Sequence, residues 1–166
     1  MIKIQISNPN LLNLKNNNDS NIEEAIETIF PSDTEYALLI WDNIFIPLSY
    51  KYDISKMISD FILLEKFILS EEKYIDIYWA SNTFSSIWKL ERNQNMINIQ
   101  SKWNCVLGGL TDLLNCKSEI TIDSNQLRIE LLSMLNFLKL CLDKCDYSSE
   151  LTDYEDLEFF CSSDII

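Results

Sequence analysis

The supply of reactive side chains is lopsided: 26 aspartates and glutamates and five cysteines, but no histidine, among 166 residues. Without histidine the usual general base is missing, and with it the Ser-His-Asp and Cys-His arrangements for nucleophilic catalysis. The five cysteines are Cys105, Cys116, Cys141, Cys145 and Cys161. The opening MIKIQISNPN reads as a strand rather than a secretory leader, so reduced thiols are expected. Cys141 and Cys145 share a helix face, but a structural zinc normally takes four ligands in paired cysteine units. They read instead as small apolar residues at a close helix contact. No Asp-x-Asp-x-Asp-Gly loop offers calcium a site, and two glycines do not make a phosphate loop. Paired carboxylates would suit a glycosidase, yet any acidic chain supplies such pairs. The expectation is a chain with no catalytic residues, no metal and no cofactor, and not an enzyme.

Charge placement says more. The net charge is −13, but residues 43–142 hold eleven acids against ten bases. Residues 1–42 carry seven acids and two lysines, and residues 143–166 carry eight acids and one lysine. The excess therefore sits at the two ends. Phosphate contacts need clustered Lys and Arg, so direct nucleic-acid binding is not expected. The stretch SSELTDYEDLEFFCSSDII mixes carboxylates with aromatics and holds no base at all. Aromatic anchors ringed by charge are a means of protein recognition. The candidate contact residues are Asp146, Tyr147, Asp153, Tyr154, Glu155, Asp156 and Glu158, followed by Glu23, Glu24 and Glu27. If the two ends fold close together, both groups form one surface.

The elements that must position them follow from periodicity. IKIQI alternates as a strand with Ile2, Ile4 and Ile6 inward. SNIEEAIETIF reads as a helix with Ser20 and Glu23 as a capping box and Pro31 as its stop. YALLIW, a turn at Asp42-Asn43 and IFIPLSY make a hairpin, with Pro47 marking an edge or a bulge. Asp53 is expected to cap a helix of about four turns. KYIDIYWA is a further strand with Ile75, Ile77 and Trp79 on one face. FSSIWKLE and MINIQSKW form a second hairpin around RNQN, Gly108-Gly109 turns the chain, and EITI adds a short strand. A long apolar helix starts at Asp123 or Ser124, and a short acidic one near Thr152, with Thr152 and Glu155 as a second capping box. The four tryptophans fall on or beside strands and are expected in the core, one being available as an exposed anchor. The fold class is α+β: one domain, 1–166, of mainly antiparallel sheet packed with about four helices. No run approaches the roughly 18 apolar residues of a membrane helix, so no membrane association and a cytoplasmic location are expected.

The succession YALLIWDNIFIPLSYKYDISKMISDFILLEKFI, YIDIYWASNTFSSIWKL and INIQSKW resembles the small immunity domains of bacterial contact-dependent growth inhibition and related polymorphic toxin systems. The resemblance covers half the chain or more and transfers no residue by position. It implies an immunity protein, a monomer that neutralises one cognate toxin, a basic nuclease domain foremost. The alternative from composition is a secretion chaperone or adaptor holding a client segment.

Overall fold

Alternating and 3.6-period apolar patterns are satisfied in a computed structural model that describes residues 1–162. The elements are β1 (Ile2–Gln5), α1 (Ile22–Ile29), β2 (Ala37–Trp41), β3 (Ile44–Leu48), α2 (Ser55–Leu69), β4 (Tyr74–Ala80), β5 (Phe84–Asn93), β6 (Met96–Val106), α3 (Thr111–Asn115), β7 (Glu119–Asp123), α4 (Ser124–Lys144) and α5 (Tyr154–Ser162). The class is α+β, with two antiparallel sheets rather than one: β1-β2-β3 and β4-β5-β6-β7. Four helices have eight residues or more, and α3 has five. No helix among the described residues is long and apolar enough to cross a membrane.

The first sheet turns on Asp42 and Asn43, whose φ values of 43° and 67° are those of the tight turn that matches strand twist. Pro47 lies on β3, an edge strand, opposite Leu38. In the second sheet Asn104 is an extra residue on β6, where pairing shifts between Ser85 and Ser86. The sheets meet through tryptophans. Trp41 of β2 lies 5.0 Å from Trp88 and 5.4 Å from Trp103, and Trp88 is 5.0 Å from Trp79. All four rings are buried, so none is an exposed anchor; the inward register of every strand takes them inside.

Helix α4 packs on β1 of the first sheet and β7 of the second, α2 packs on β4, and the two helices pack on each other. Between them Glu65, fully buried, accepts from Arg128 Nε at 2.7 Å. Burial raises the pKa of Glu65 and the Arg128 guanidinium opposes that rise. Asp60, also on α2, has neither hydrogen-bond nor ion partner among the described residues, and burial pushes it up to about 6 from 3.8. Folding therefore disfavours its charged form, and stability falls as pH rises between 3.8 and about 6. Asp60→Asn should stabilise the protein at pH 7 by about 1–2 kcal/mol, a figure reduced for partial solvent access. The check is urea unfolding of both proteins at pH 5 and pH 7.5: the gap should narrow on acidification. An equal gap at both values would rule the account out.

Two local expectations change. The cap of α1 is Asn21, whose side chain accepts from Glu24 N at 2.9 Å, while the Glu24 carboxylate reaches back to Ser20 N at 2.7 Å. The box is thus shifted by one residue from Ser20–Glu23. Asp53 does not cap α2 either. It sits in a wide π-helical turn, Tyr50–Ile54, and binds Ser49 and Thr83. Asp123, by contrast, does cap α4, accepting from Asn125 N and Gln126 N.

Candidate protein-binding surface

The two acidic ends are brought together. Thr152 N donates to Ser20 O at 3.0 Å, and Asn21 and Thr152 form a parallel bridge. Lys15 Nζ donates to the Asp146 carbonyl at 2.9 Å, and Tyr147 Oη accepts from Asn16 N at 2.9 Å while donating to Asp19. This seam puts α1 and α5 on either flank of α2. Lys56 of α2 pairs with Glu23 and, at 2.8 Å, with Glu27. Lys66, further along α2, pairs with Asp156 at 2.7 Å. The two carboxylates raise the pKa of Lys56, so it stays charged at any ordinary pH. A shallow cleft of about 270 Å³ lies along this seam, with Glu23 and Asp153 at its rim and Ile58 and Ile62 in its floor.

The sequence candidates divide into three kinds. Glu23 and Glu27 are in place but share Lys56, which offsets one of their two charges, and Asp156 is compensated by Lys66. Glu24 is committed to its own helix start, and the Ser20 hydrogen bonds lower its pKa. Asp146, Asp153, Glu155 and Glu158 are exposed and in no ion pair among the described residues. Asp146 and Asp153 both have left-handed backbones, φ 61° and 66°, where the chain turns out of α4 and into α5.

Tyr147 and Tyr154 are corrections. Each ring is nearly inaccessible, 4% and 3% exposed, and neither is displayed to a partner. Tyr147 belongs to the seam just described. Tyr154 donates to Asp143 beneath Lys139, whose ammonium lies 5.7 Å from the ring centre. Burial, then that Asp143 bond, pushes its hydroxyl up to about 12. Tyr154 thus clamps α5 to α4, and Tyr147 ties the end of α4 to the loop before α1. The Thr152–Glu155 capping box is also absent in the form expected: α5 begins at Tyr154, and Thr152 is engaged in the bridge to Asn21. Phe160 is core as well, whereas Phe159, which follows Glu158 directly in sequence, is 63% exposed. It flanks a shallow apolar hollow with Leu69 and Phe160. Phe159 is not among the contact residues expected from the sequence, although helical phase separates it from Tyr154 and Leu157.

For catalysis the same surface offers little. Among the described residues no three or more His, Cys, Asp or Glu side chains are placed to hold a metal ion. Burial pushes Cys141 and Cys161 up to about 11 and raises Cys145 too, the reverse of an activated thiol. The cleft joins Glu23 to Asp153, but Lys56 already pairs with Glu23. Comparison with known proteins adds nothing to this picture: no family model, curated protein or solved structure matches the chain.

Proposed function

We propose that this is an immunity-type binding protein of the bacterial cytoplasm that captures and neutralises one basic toxin, with a nuclease domain as the favoured class. The observation that supports it best is the seam at Asn21 and Thr152. It brings the two acidic segments side by side, with Asp153, Glu155 and Glu158 in no ion pair among the described residues and Phe159 exposed next to Glu158. A nuclease needs a positive cleft for polyphosphate, and carboxylates held on helices meet it with little ordering on binding. The surrounding negative field speeds encounter. Phe159 supplies the apolar anchor that charge alone lacks.

The test has two stages. Purified protein is used as bait in lysate of the source bacterium, washed at low salt, and the retained proteins are identified by mass spectrometry. A single basic partner, released as salt rises, is expected. Against that partner, the triple variant Asp153→Lys, Glu155→Lys, Glu158→Lys should associate at least about tenfold more slowly and with a flatter salt dependence. Unchanged kinetics would remove this face from the interface. Retention of a secreted protein through its extended export segment would replace the reading with that of a chaperone.

A further inference from the structure

Four strands in this protein lie at sheet edges, and three of them are blunted. In the antiparallel pairs only alternate residues bond to the neighbouring strand, so the others point their N–H and C=O outward. On β1 the outward N–H of Ile4 is taken by Glu130 Oε2 of α4 at 3.0 Å. On β3 the outward position between Ile46 and Leu48 is Pro47, which has no N–H to offer. On β7 the strand has five residues, and its outward positions begin and end with the carboxylates Glu119 and Asp123. Such devices are how sheets avoid joining other chains.

The β4 edge has only one of them, a single carboxylate, Asp76, among its outward positions. It is seven residues long, without proline, glycine, lysine or bulge. Arg92 N donates to Lys73 O and Ser81 N to Phe84 O, which fixes the alternation: Ile75, Ile77 and Trp79 bond to β5. Tyr74, Asp76, Tyr78 and Ala80 therefore turn their backbone groups outward, and no backbone or side-chain partner meets them among the described residues.

We infer that this edge pairs with a second copy of the chain, β4 against β4 in antiparallel fashion about a two-fold axis at Ile77. Only outward-facing residues can bond across such a junction. The register that uses the whole strand sets Tyr74 opposite Ala80 of the second copy, and Asp76 opposite Tyr78 of the second copy. The phenol then meets a carboxylate, as Tyr78 Oη already approaches Asp76 within the strand at 3.5 Å. Shifting by two residues one way would put Asp76 opposite its own copy, and like charges directly opposed are unfavourable. On the inner face Ile77 meets Ile77, and half-buried Ile75 meets Trp79, so the apolar layer runs on between the two copies. The product is a continuous eight-stranded sheet, four strands from each copy. The sequence reading expects a monomer; the strand edge, visible only once the sheet order is known, argues for a dimer. The inference is independent of the toxin-binding proposal, because the acidic seam lies on α1, α2 and α5.

The strand pair is a small interface, so a dissociation constant on the order of 10 µM is expected. Sedimentation equilibrium in 150 mM salt, which screens the net negative charge, would be run from about 1 to about 200 µM. Two variants accompany the wild type. Tyr78→Asp changes a side chain 61% exposed and sets a carboxylate opposite Asp76 of the second copy twice per dimer. Tyr78→Pro removes an outward N–H while sparing every bond to β5, as Pro47 does on β3. Each should weaken dimerisation at least about tenfold while circular dichroism stays unchanged. If Tyr78→Pro does not fold, Tyr78→Asp decides alone. A wild type that stays monomeric to about 200 µM overturns the inference. So does a dimer that Tyr78→Asp leaves intact, since the copies would then meet elsewhere.

Discussion

Replacing Asp53 with alanine should lower the unfolding free energy by about 3–5 kcal/mol, among the largest losses expected from any single polar side chain here. Asp53 is 1% exposed and accepts three hydrogen bonds: from Ser49 N at 2.8 Å, Thr83 N at 2.7 Å and Thr83 Oγ1 at 2.8 Å. Ser49 closes the first sheet, and Thr83 turns the chain between β4 and β5 of the second. One carboxylate thus ties the π-helical turn to a loop thirty residues on. Removing it strands two backbone N–H groups, that of Ser49 buried and that of Thr83 partly so, and each unmet donor costs about 1–3 kcal/mol. Asparagine retains an acceptor and should lose less. The measurement is a urea titration at pH 7, read as a midpoint shift at constant slope. A loss below about 1 kcal/mol would mean that water replaces the carboxylate, and the clamp would have to be abandoned as an account of how the two sheets are joined.

Trp88→Ala is expected to cost about 3–5 kcal/mol for a different reason. The Trp88 ring is 2% exposed and stands 5.0 Å from both Trp41 and Trp79 and 6.1 Å from Trp103. Its removal leaves a hole where the sheets meet, lined by rings that are themselves fixed by strand register. Trp88→Phe separates volume from chemistry. The indole N–H has no hydrogen-bond partner among the described residues, so phenylalanine deletes an unmet donor along with part of the ring. Its loss should be well under half that of alanine. Equal losses for the two would show that the indole N–H is satisfied in solution and that packing is the smaller part.

How far these features were legible from sequence depends on the range of the interaction. The Asp42-Asn43 hairpin, the edge position of Pro47 and the Asp123 cap are set by neighbours a few residues apart, and local chemistry is enough to read them. The α1 cap was missed by one residue because Ser20 and Asn21 are both good caps with a glutamate three residues on. Only packing of Ile22, Ala25, Ile26 and Ile29 fixes the helix phase and so selects Asn21. Asp53 was misread because a carboxylate before an apolar run looks like a cap, while its true partner, Thr83, lies beyond α2 and β4. For the candidate surface, charge pointed to the right segments but not to the right aromatics. Tyr147 and Tyr154 are buried by Asp19 and Asp143, and nothing near them in sequence says so. Phe159, two places beyond buried Leu157, is the ring that faces out.

The Ile4 to Glu130 bond has a kinetic side. It spans 126 residues, and α4, which supplies the glutamate, is also the helix that packs on β1. During synthesis at about 5–20 residues per second, the first strand must wait roughly 6–25 s for its partner to leave the ribosome. The seam from Asn16 to Tyr147 and from Ser20 to Thr152 closes later still. β1 can pair with β2 early, but its outer edge stays uncovered until α4 has been made. The acidic face is complete only once α5 has been made, so a ribosome that stalls before α5 releases a chain without it.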